Sequence, residues 1–458
     1  MGLSADRGHG SLIFMLLTLL ILFSVSEVVR ADNLPVKPSV ISISYPEAVK
    51  VGLEKNLDLV AQKLSISLGE ASELLAETLA NPTLQLDTQL MSFSLPFAPS
   101  WSQSNTGGPS QQDIYLNIPI DLTMKRAKAG RAARSGTQMI EAQFQNQVML
   151  KKVEIQNSYV SLALLQSLVS LYQDRQEVYD QLQKLISNRT GSSQLLPQLL
   201  ERARMAAAQM RFELENKKSD LAQESIRLSA LLGSQESSEN IRASTPLQGF
   251  KKHFDPVDLP KMVDLAYQSR LDLKALAFQQ VQAVQEGEAA RARVLDDVTV
   301  IAGASYQNKL GANLNLSGPN ANNPEVPGAW SWIAGVVVPI PVFSQNKGGI
   351  MRAHFLQDQA DAQKRALEMQ IRSEIEIAIK SVHLTSKHLS EFEKSALVSA
   401  RKVRDGVQRL FGTGNVSLLE YLDSMNAYYG MVTSYFQTLS DHQRSIIRLN
   451  QTISTDVL

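Results

Sequence analysis

The chain has 458 residues, with 45 basic and 45 acidic side chains, so its formal net charge is zero. The two signs are interspersed, which argues against a nucleic-acid partner. Cysteine is absent, which excludes a disulfide framework, a thiolate metal site and a lipid-acceptor cysteine.

Arg7 and His9 precede an apolar run, Leu12–Val25, and Val29-Arg30-Ala31 is a small-residue cleavage site. These features predict a secretory signal over residues 1–31, removed after Ala31. The alternative is an uncleaved anchor helix, which needs about 20 apolar residues; this run is shorter. No later segment reads as a membrane helix, so any membrane residence runs through strands.

Two copies of one plan follow, over 32–233 and 259–458, with a Ser-, Gly- and Pro-rich linker at 234–258. Tyr45-Pro46-Glu47-Ala48 opens a helix in the first copy and Leu259-Pro260-Lys261-Met262 opens one in the second. Proline suits a first helical turn. Asn56-Leu57-Asp58-Leu59 follows Pro46 by ten residues, as Arg270-Leu271-Asp272-Leu273 follows Pro260. Each helix is expected to last about 35 residues, to near Ala80 and Leu295.

Alternating strands come next, at about 83–93 and 113–123, then at about 298–307 and 330–343. Apolar residues take one side, as with Ile114, Leu116, Ile118 and Ile120, or Trp330, Trp332, Ala334 and Val336. Gln85, Asp87, Gln89, Asp113, Asn117 and Asp121 take the other. Both hairpins end on a proline motif, Ile118-Pro119-Ile120 and Val338-Pro339-Ile340, with Gly130 set against Gly349. Proline cannot donate to a ladder, so the strands end or bend there.

A very long helical pattern follows each hairpin, from Met124 to about Ser187 and from about Ile350 to Leu410. The first corresponds to about 95 Å at 1.5 Å per residue. Heptads run through Val148, Ile155, Leu162 and Val169, through Leu165, Tyr172, Tyr179 and Ile186, and through Ile375, Val382, Leu389, Ala396, Val403 and Leu410. A seven-residue step implies left-handed supercoiling. Both helices break before a second helix, at 188–193 and 412–417, with Ser193 and Ser417 as expected N-caps. Leu418, Met425, Val432, Leu439 and Ile446 then continue as a separate seam.

Strands of about 10 residues match a membrane barrel strand. Four cannot close a barrel, and lipid does not tolerate exposed edges, so several chains must share one; three would give twelve strands. The apolar row would face lipid and the polar row a wet lumen, with Trp330, Trp332, Tyr115 and Tyr306 in an interfacial girdle. The plain alternative is a soluble sheet with one buried face.

The chain resembles the TolC-type outer-membrane efflux factors. The likeness rests on the duplicated plan, the strand-to-helix prolines, and Leu410–Asn426, an aromatic, a glycine and a Leu-rich helix start carrying two acids three residues apart. Ile118-Pro-Ile-Asp-Leu with Lys125-Arg126, and Pro339-Ile-Pro-Val-Phe with Asn346-Lys347-Gly348, look most like the heavy-metal cation (Czc-type) branch. The resemblance implies a mainly α fold with a membrane β-barrel part. Four strands per chain would build a trimeric 12-stranded barrel that continues into a long coiled-coil tunnel. It implies a homotrimer in outer-membrane lipid, served by a periplasmic adaptor and an inner-membrane pump, and closed at its tip until they dock.

Carried over by position, the family's two aperture acids fall on Glu420 and Asp423, which in a trimer would make two acidic rings that favour cations. The plain alternative is a solvated helix start, where acids are favourable anyway. The family's locking Tyr and Arg fall on Phe411 and Val416, which cannot make a polar lock. Gly191, Leu195 and Leu196, with Gly414, Leu418 and Leu419, are expected to form adaptor-docking tips, though turn and core chemistry explains them too. His383 and His388 read as surface residues, and the methionines as core. No catalytic cluster, P-loop or metal-ligand spacing occurs, so the chain is expected to be no enzyme and to need no cofactor. Two other functions stay open: an exit duct for drugs or a type I secreted protein, and a periplasmic adaptor protein.

Overall fold

The computed structural model describes residues 41–89, 111–187, 196–234, 241–247, 258–307 and 329–455. The expected signal (1–31) and the whole first helical break (188–193), with its expected cap Ser193, lie outside them. The short strand β1 (Ile41–Ile43) leads into α1 (Tyr45–Lys55), with Pro46 in its first turn. Asn56 ends α1 in an extended conformation, and α2 (Leu57–Glu77) starts at once. The second copy does the same: α5 (Leu259–Ser269), extended Arg270, then α6 (Leu271–Ala292). The single helix of about 35 residues expected in each copy is therefore two. Asn56 accepts from the Asp58 and Leu59 amides at 3.0 and 3.3 Å, so it caps a new helix rather than continuing the old one.

Strands β2 (Thr83–Gln89), β3 (Gln111–Ile120), β5 (Val298–Gln307) and β6 (Ala329–Val337) form one antiparallel sheet in the order β2-β3-β5-β6. β3 and β6 stop earlier than expected: 121–123 and 338–343, with Pro339 and Pro341, lie outside the ladder. Pro339 and Pro341 lack the donor a ladder needs, whereas Pro119 stays opposite Thr299 and β3 ends one residue later, at Ile120.

Helix α3 (Lys125–Ser187) then runs for 63 residues. Its counterpart is α7 (Lys347–Glu391), a π-helical turn (Phe392–Ala396) and α8 (Leu397–Gly412), joined end to end. Met124 (φ 53°) and Asn346 (φ 48°) both take a left-handed conformation just before their long helices. Counting from those residues, Gly130 is the sixth residue of α3, whereas Gly349 is the third of α7. The two glycines are thus not equivalent, as the proline alignment had them. A side chain at Gly130 would collide with that of Glu77 on α2. The returning helices are α4 (Leu196–Leu231) and α9 (Leu418–Ile453).

The long helices pack side by side in the order α2, α3, α6, α7, matching the strand order, while α4 covers α3, and α9 packs on α3, α7 and α8. Ile155 and Leu162 of the first seam are fully buried, and so are Ile375 and Val382 of the second. The second seam then fails: Val403 is 53% exposed and Leu410 46%. A π turn adds one residue, so the buried line steps from 389 to Leu397 and Phe411. The 234–258 segment is not a free tether. Its residues Ile241–Ala243 form β4, which pairs in parallel with β1, and Ile241 and Leu247 are buried. Among the described residues no helix is long and apolar enough to cross a membrane.

Candidate barrel wall and channel aperture

The sheet register separates two chemistries. Leu84 opposes Leu116, Leu86 opposes Ile114, Ala304 opposes Trp332 and Tyr306 opposes Trp330. These named residues are mainly apolar and several are bare, Leu86 at 67% exposed and Trp332 at 92%; the row ends on the polar pair Thr88 and Gln112 at one side and the buried Val298 at the other. Leaving so much contiguous apolar surface in water is costly, so such a face marks an interface with lipid or protein.

The other face is a hydrogen-bonded polar lattice. Gln85 donates to Asp87 at 2.9 Å, Asn117 to Gln85 at 3.2 Å and Gln111 to Asp113 at 3.0 Å. Asp87 stands directly opposite Asp113. The Tyr115 hydroxyl donates to Asp113 at 2.8 Å. Tyr115 therefore belongs to this polar face and not to the aromatic girdle, because its odd number puts it on the side of Asp113 and Asn117. The Gln89 side chain lies outside the described atoms.

Asp121 stands past the end of β3 and caps α3, its carboxylate accepting from the Lys125 and Arg126 amides at 3.0 and 2.9 Å. Burial pushes its carboxyl up, but the Arg126 and Lys125 amide bonds outweigh that and hold it below its usual range. Arg126 also grips both oxygens of Asp297 at 2.8 and 2.5 Å, and Lys125 reaches Asp297 at 3.1 Å. The Arg126 bonds lead in lowering the Asp297 carboxyl to about 2. This cluster clamps the sheet to the helices where β3 and β5 meet α3.

At the far end of the helices, α8 closes on Gly414 (φ 80°), whose amide donates to Phe411 O at 3.1 Å while that of Asn415 donates to Leu410 O at 2.9 Å. Glycine takes that left-handed turn without strain. Ser417 caps α9 through the Glu420 amide at 3.2 Å. Glu420 and Asp423 lie exposed, one turn apart on α9, and Leu419 is exposed beside them. Leu418 is buried and Val416 half-buried. Phe411 stacks on Tyr421 with ring centres 4.5 Å apart. Gly191 and Leu195 lie outside the described residues; Leu196 opens α4, with its side chain undescribed.

A cluster not singled out from the sequence lies just above this tip. Arg175 of α3 sits among the rings of Tyr172, Tyr179 and Tyr429. It donates to Asn426 at 2.6 Å and to Glu213 at 3.4 Å. Burial pushes the Tyr429 hydroxyl up to about 12. The one sequence signal was an arginine set between two seam tyrosines, Tyr172 and Tyr179.

A sheet with an apolar face and a polar face, feeding into helices of such length, is what the resemblance to the TolC-type outer-membrane efflux factors implies. No family model matches the chain. It is 22% identical over 327 residues to the cobalt-zinc-cadmium resistance protein CzcC of Cupriavidus metallidurans, covering 71% of this chain and 72% of that protein. Among solved structures it resembles CusC (TM-score 0.68, 19% identity, 89% of this chain and 91% of that one). It also resembles the Campylobacter jejuni CmeC outer membrane channel (TM-score 0.70, 13% identity, 90% and 86%). The open-state Neisseria gonorrhoeae MtrE outer membrane channel is a third likeness (TM-score 0.69, 14% identity, 90% and 89%). The fold is thus that of the outer-membrane efflux channels. The sequence similarity is to CzcC, a cobalt-zinc-cadmium resistance protein.

Proposed function

We propose that the chain is the outer-membrane channel of a tripartite efflux system: a passive exit duct through the periplasm and outer membrane, with heavy-metal cations as cargo. One observation carries this reading. Both lateral edges of the chain are unfinished in the same way. At one edge β2 has no neighbour on its outer side among the described residues, and α2 beside it bears the exposed stripe Leu57, Val60, Leu64, Leu68 and Leu75. At the other, β6 is likewise open, and α7 exposes Met351, Phe355, Met369 and Ile377. An edge of unpaired strand beside an apolar helix calls for its complement. Rotating copies so that β6 and α7 of one meet β2 and α2 of the next satisfies both at once. Three copies close twelve strands, within the range of membrane barrels.

In that trimer the apolar face meets lipid, the Asp87–Asp113 face lines the lumen, and Glu420 and Asp423 stack as two acidic rings at the periplasmic tip. The exposed Leu419 and the Gly414 turn offer the adaptor its footing, and the pump supplies the energy. The cobalt-zinc-cadmium resistance name of the relative CzcC supports divalent cations as cargo.

The test is purification from membranes in detergent, with light scattering and negative-stain microscopy. A trimer about 140 Å long is expected, the sum of a helix of about 95 Å and a membrane crossing of about 40–45 Å. A detergent-independent monomer or dimer would overturn the reading.

A further inference from the structure

The sheet meets the long helices through connections of unequal length. Residues 121–124 join β3 to α3, whereas 338–346 join β6 to α7, five residues more. The added length is apolar and uncovered: Val338, Ile340, Val342 and Phe343 are all exposed, Ile340 at 79% and Phe343 completely. Pro339 and Pro341 lack amide donors, so this stretch is barred from serving as a ladder for a strand of a neighbouring copy. The Val342 amide turns back onto Ile340 O at 2.9 Å, a tight turn that ends the run beside Phe343.

Aromatic residues are unevenly placed on the sheet. Tyr306, Trp330 and Trp332 all sit at the end remote from the helices. Towards the helices the apolar row is aliphatic, with Leu84, Ile118, Val300 and Val336. A wall that crosses a bilayer carries an aromatic belt at each lipid–water boundary. Among the described residues, Phe343 is the exposed aromatic nearest the helix end of the sheet. Cations gather at the same corner. Asn346 donates to Ala290 O at 2.7 Å, tying the start of α7 to the end of α6. Arg291 and Arg293 follow Ala290, and Lys347 follows Asn346. All three are exposed, and none has an ion-pair partner among the described residues. An apolar wedge beside unpaired cations suits phospholipid: the wedge enters the acyl boundary and the cations meet headgroup phosphates.

We propose that the β6–α7 corner is a phospholipid-binding foot: Val338–Phe343 seats in the periplasmic leaflet of the outer membrane, with Phe343 at the acyl boundary and Arg291, Arg293 and Lys347 on headgroup phosphates. The proposal rests on the duct reading, which sets the corner at the height of that leaflet. Without a cysteine, the chain has no thiol to carry an acyl anchor, and the foot supplies a grip of its own.

The test uses full-length protein in vesicles of phosphatidylethanolamine and phosphatidylglycerol. The absence of cysteine lets a single introduced one carry a fluorophore. Ser344→Cys labels the foot and keeps Phe343; Ala334→Cys labels the apolar face of β6 at mid-strand. Lipids spin-labelled near the headgroup should quench the 344 label more than lipids labelled mid-chain, and the 334 label should show the opposite order. Each cation at an anionic surface contributes about fivefold. Spin-labelled phosphatidylglycerol should therefore quench the 344 label several-fold more than spin-labelled phosphatidylethanolamine, and Arg291→Gln/Arg293→Gln/Lys347→Gln should abolish the difference. If that triple variant fails to assemble, Lys347→Gln alone decides, with a loss of about fivefold. Equal quenching by the two lipids with all three cations in place would overturn the headgroup contact. A 344 label that neither lipid quenches, beside a quenched 334 label, would put the foot in water or against another copy and overturn the proposal alone. A 334 label that no lipid quenches would refute the duct itself.

Discussion

Asn56 and Arg270 hold the same post in the two repeats. Each sits extended between two helices and donates to the end of the helix that returns in its own repeat: Asn56 to Leu231 O at 3.3 Å, Arg270 to Thr452 O at 3.3 Å. Helix C-termini expose unpaired carbonyls and a partial negative charge, so a donor there is favourable. Arg270 is nearly buried and also holds Asp272 and Glu374, at 2.6 and 2.8 Å. Removing it takes the guanidinium from two half-buried acids, so Arg270→Met should lower stability by about 1.5–3 kcal/mol. Asn56→Ala loses a cap and should cost about 1 kcal/mol. Melting of the two variants in detergent checks this; equal, small losses would mean the Arg270 network is not structural.

Asp297 predicts an acid limb. Its carboxyl is lowered from 3.8 to about 2 in the folded chain. A depressed carboxyl stabilises the fold fully above about pH 4, and that stability drains away as pH falls towards 2. The amount is about 1–2 kcal/mol once solvent screening at this rim is allowed for. Asp297→Asn should therefore melt below wild type at pH 7 and converge with it near pH 2. A constant gap across that range would locate the acid sensitivity elsewhere.

The two faces of β3 should respond oppositely to one charge. Leu116 is on the apolar face and Asn117 on the polar face. A lysine on a lipid face costs about 2–4 kcal/mol near the bilayer centre, and little on a lumen face. Leu116→Lys should sharply reduce the assembled fraction in outer membranes, while Asn117→Lys should assemble normally. Equal assembly of the two would show that the apolar face does not meet lipid.

Glu420 and Asp423 should govern ion preference. Neither carboxylate has an ion-pair partner among the described residues within 4 Å. Glu420→Gln with Asp423→Asn should cut the cation-to-anion permeability ratio roughly several-fold, read as a reversal potential in a salt gradient. A reversal potential equal to that of wild type would assign selectivity to another ring, such as Asp87 with Asp113.

The long helix from 125 to 187 and the alternation of β3 and β6 were legible in the sequence because both are periodic over many residues. So was the cap at Ser417, which local chemistry sets. The breaks at Asn56 and Arg270 were visible as a repeated phrase, but their meaning was not. Asn56 suits an N-cap but Arg270 does not, and both donate to carbonyls far along the chain, at Leu231 and Thr452, some 180 residues away. Tyr115 was misplaced for a simpler reason: amphipathic aromatics suit both a membrane interface and a polar wall, and only register separates the two.

By itself, the sequence determined the period and order of the long helices and of the four sheet strands, and their duplication. Those follow from side-chain spacing along one chain, which no partner alters. The tertiary structure decided phase. Val403 and Leu410 read as buried until one extra residue at Phe392–Ala396 turned Leu397 and Phe411 inward instead. Arg175 met Asn426 only because α3 and α9 pack at one height. A heptad specifies which residues can share a face, but the choice of face belongs to the neighbour that covers it, because apolar burial has no direction until two surfaces meet.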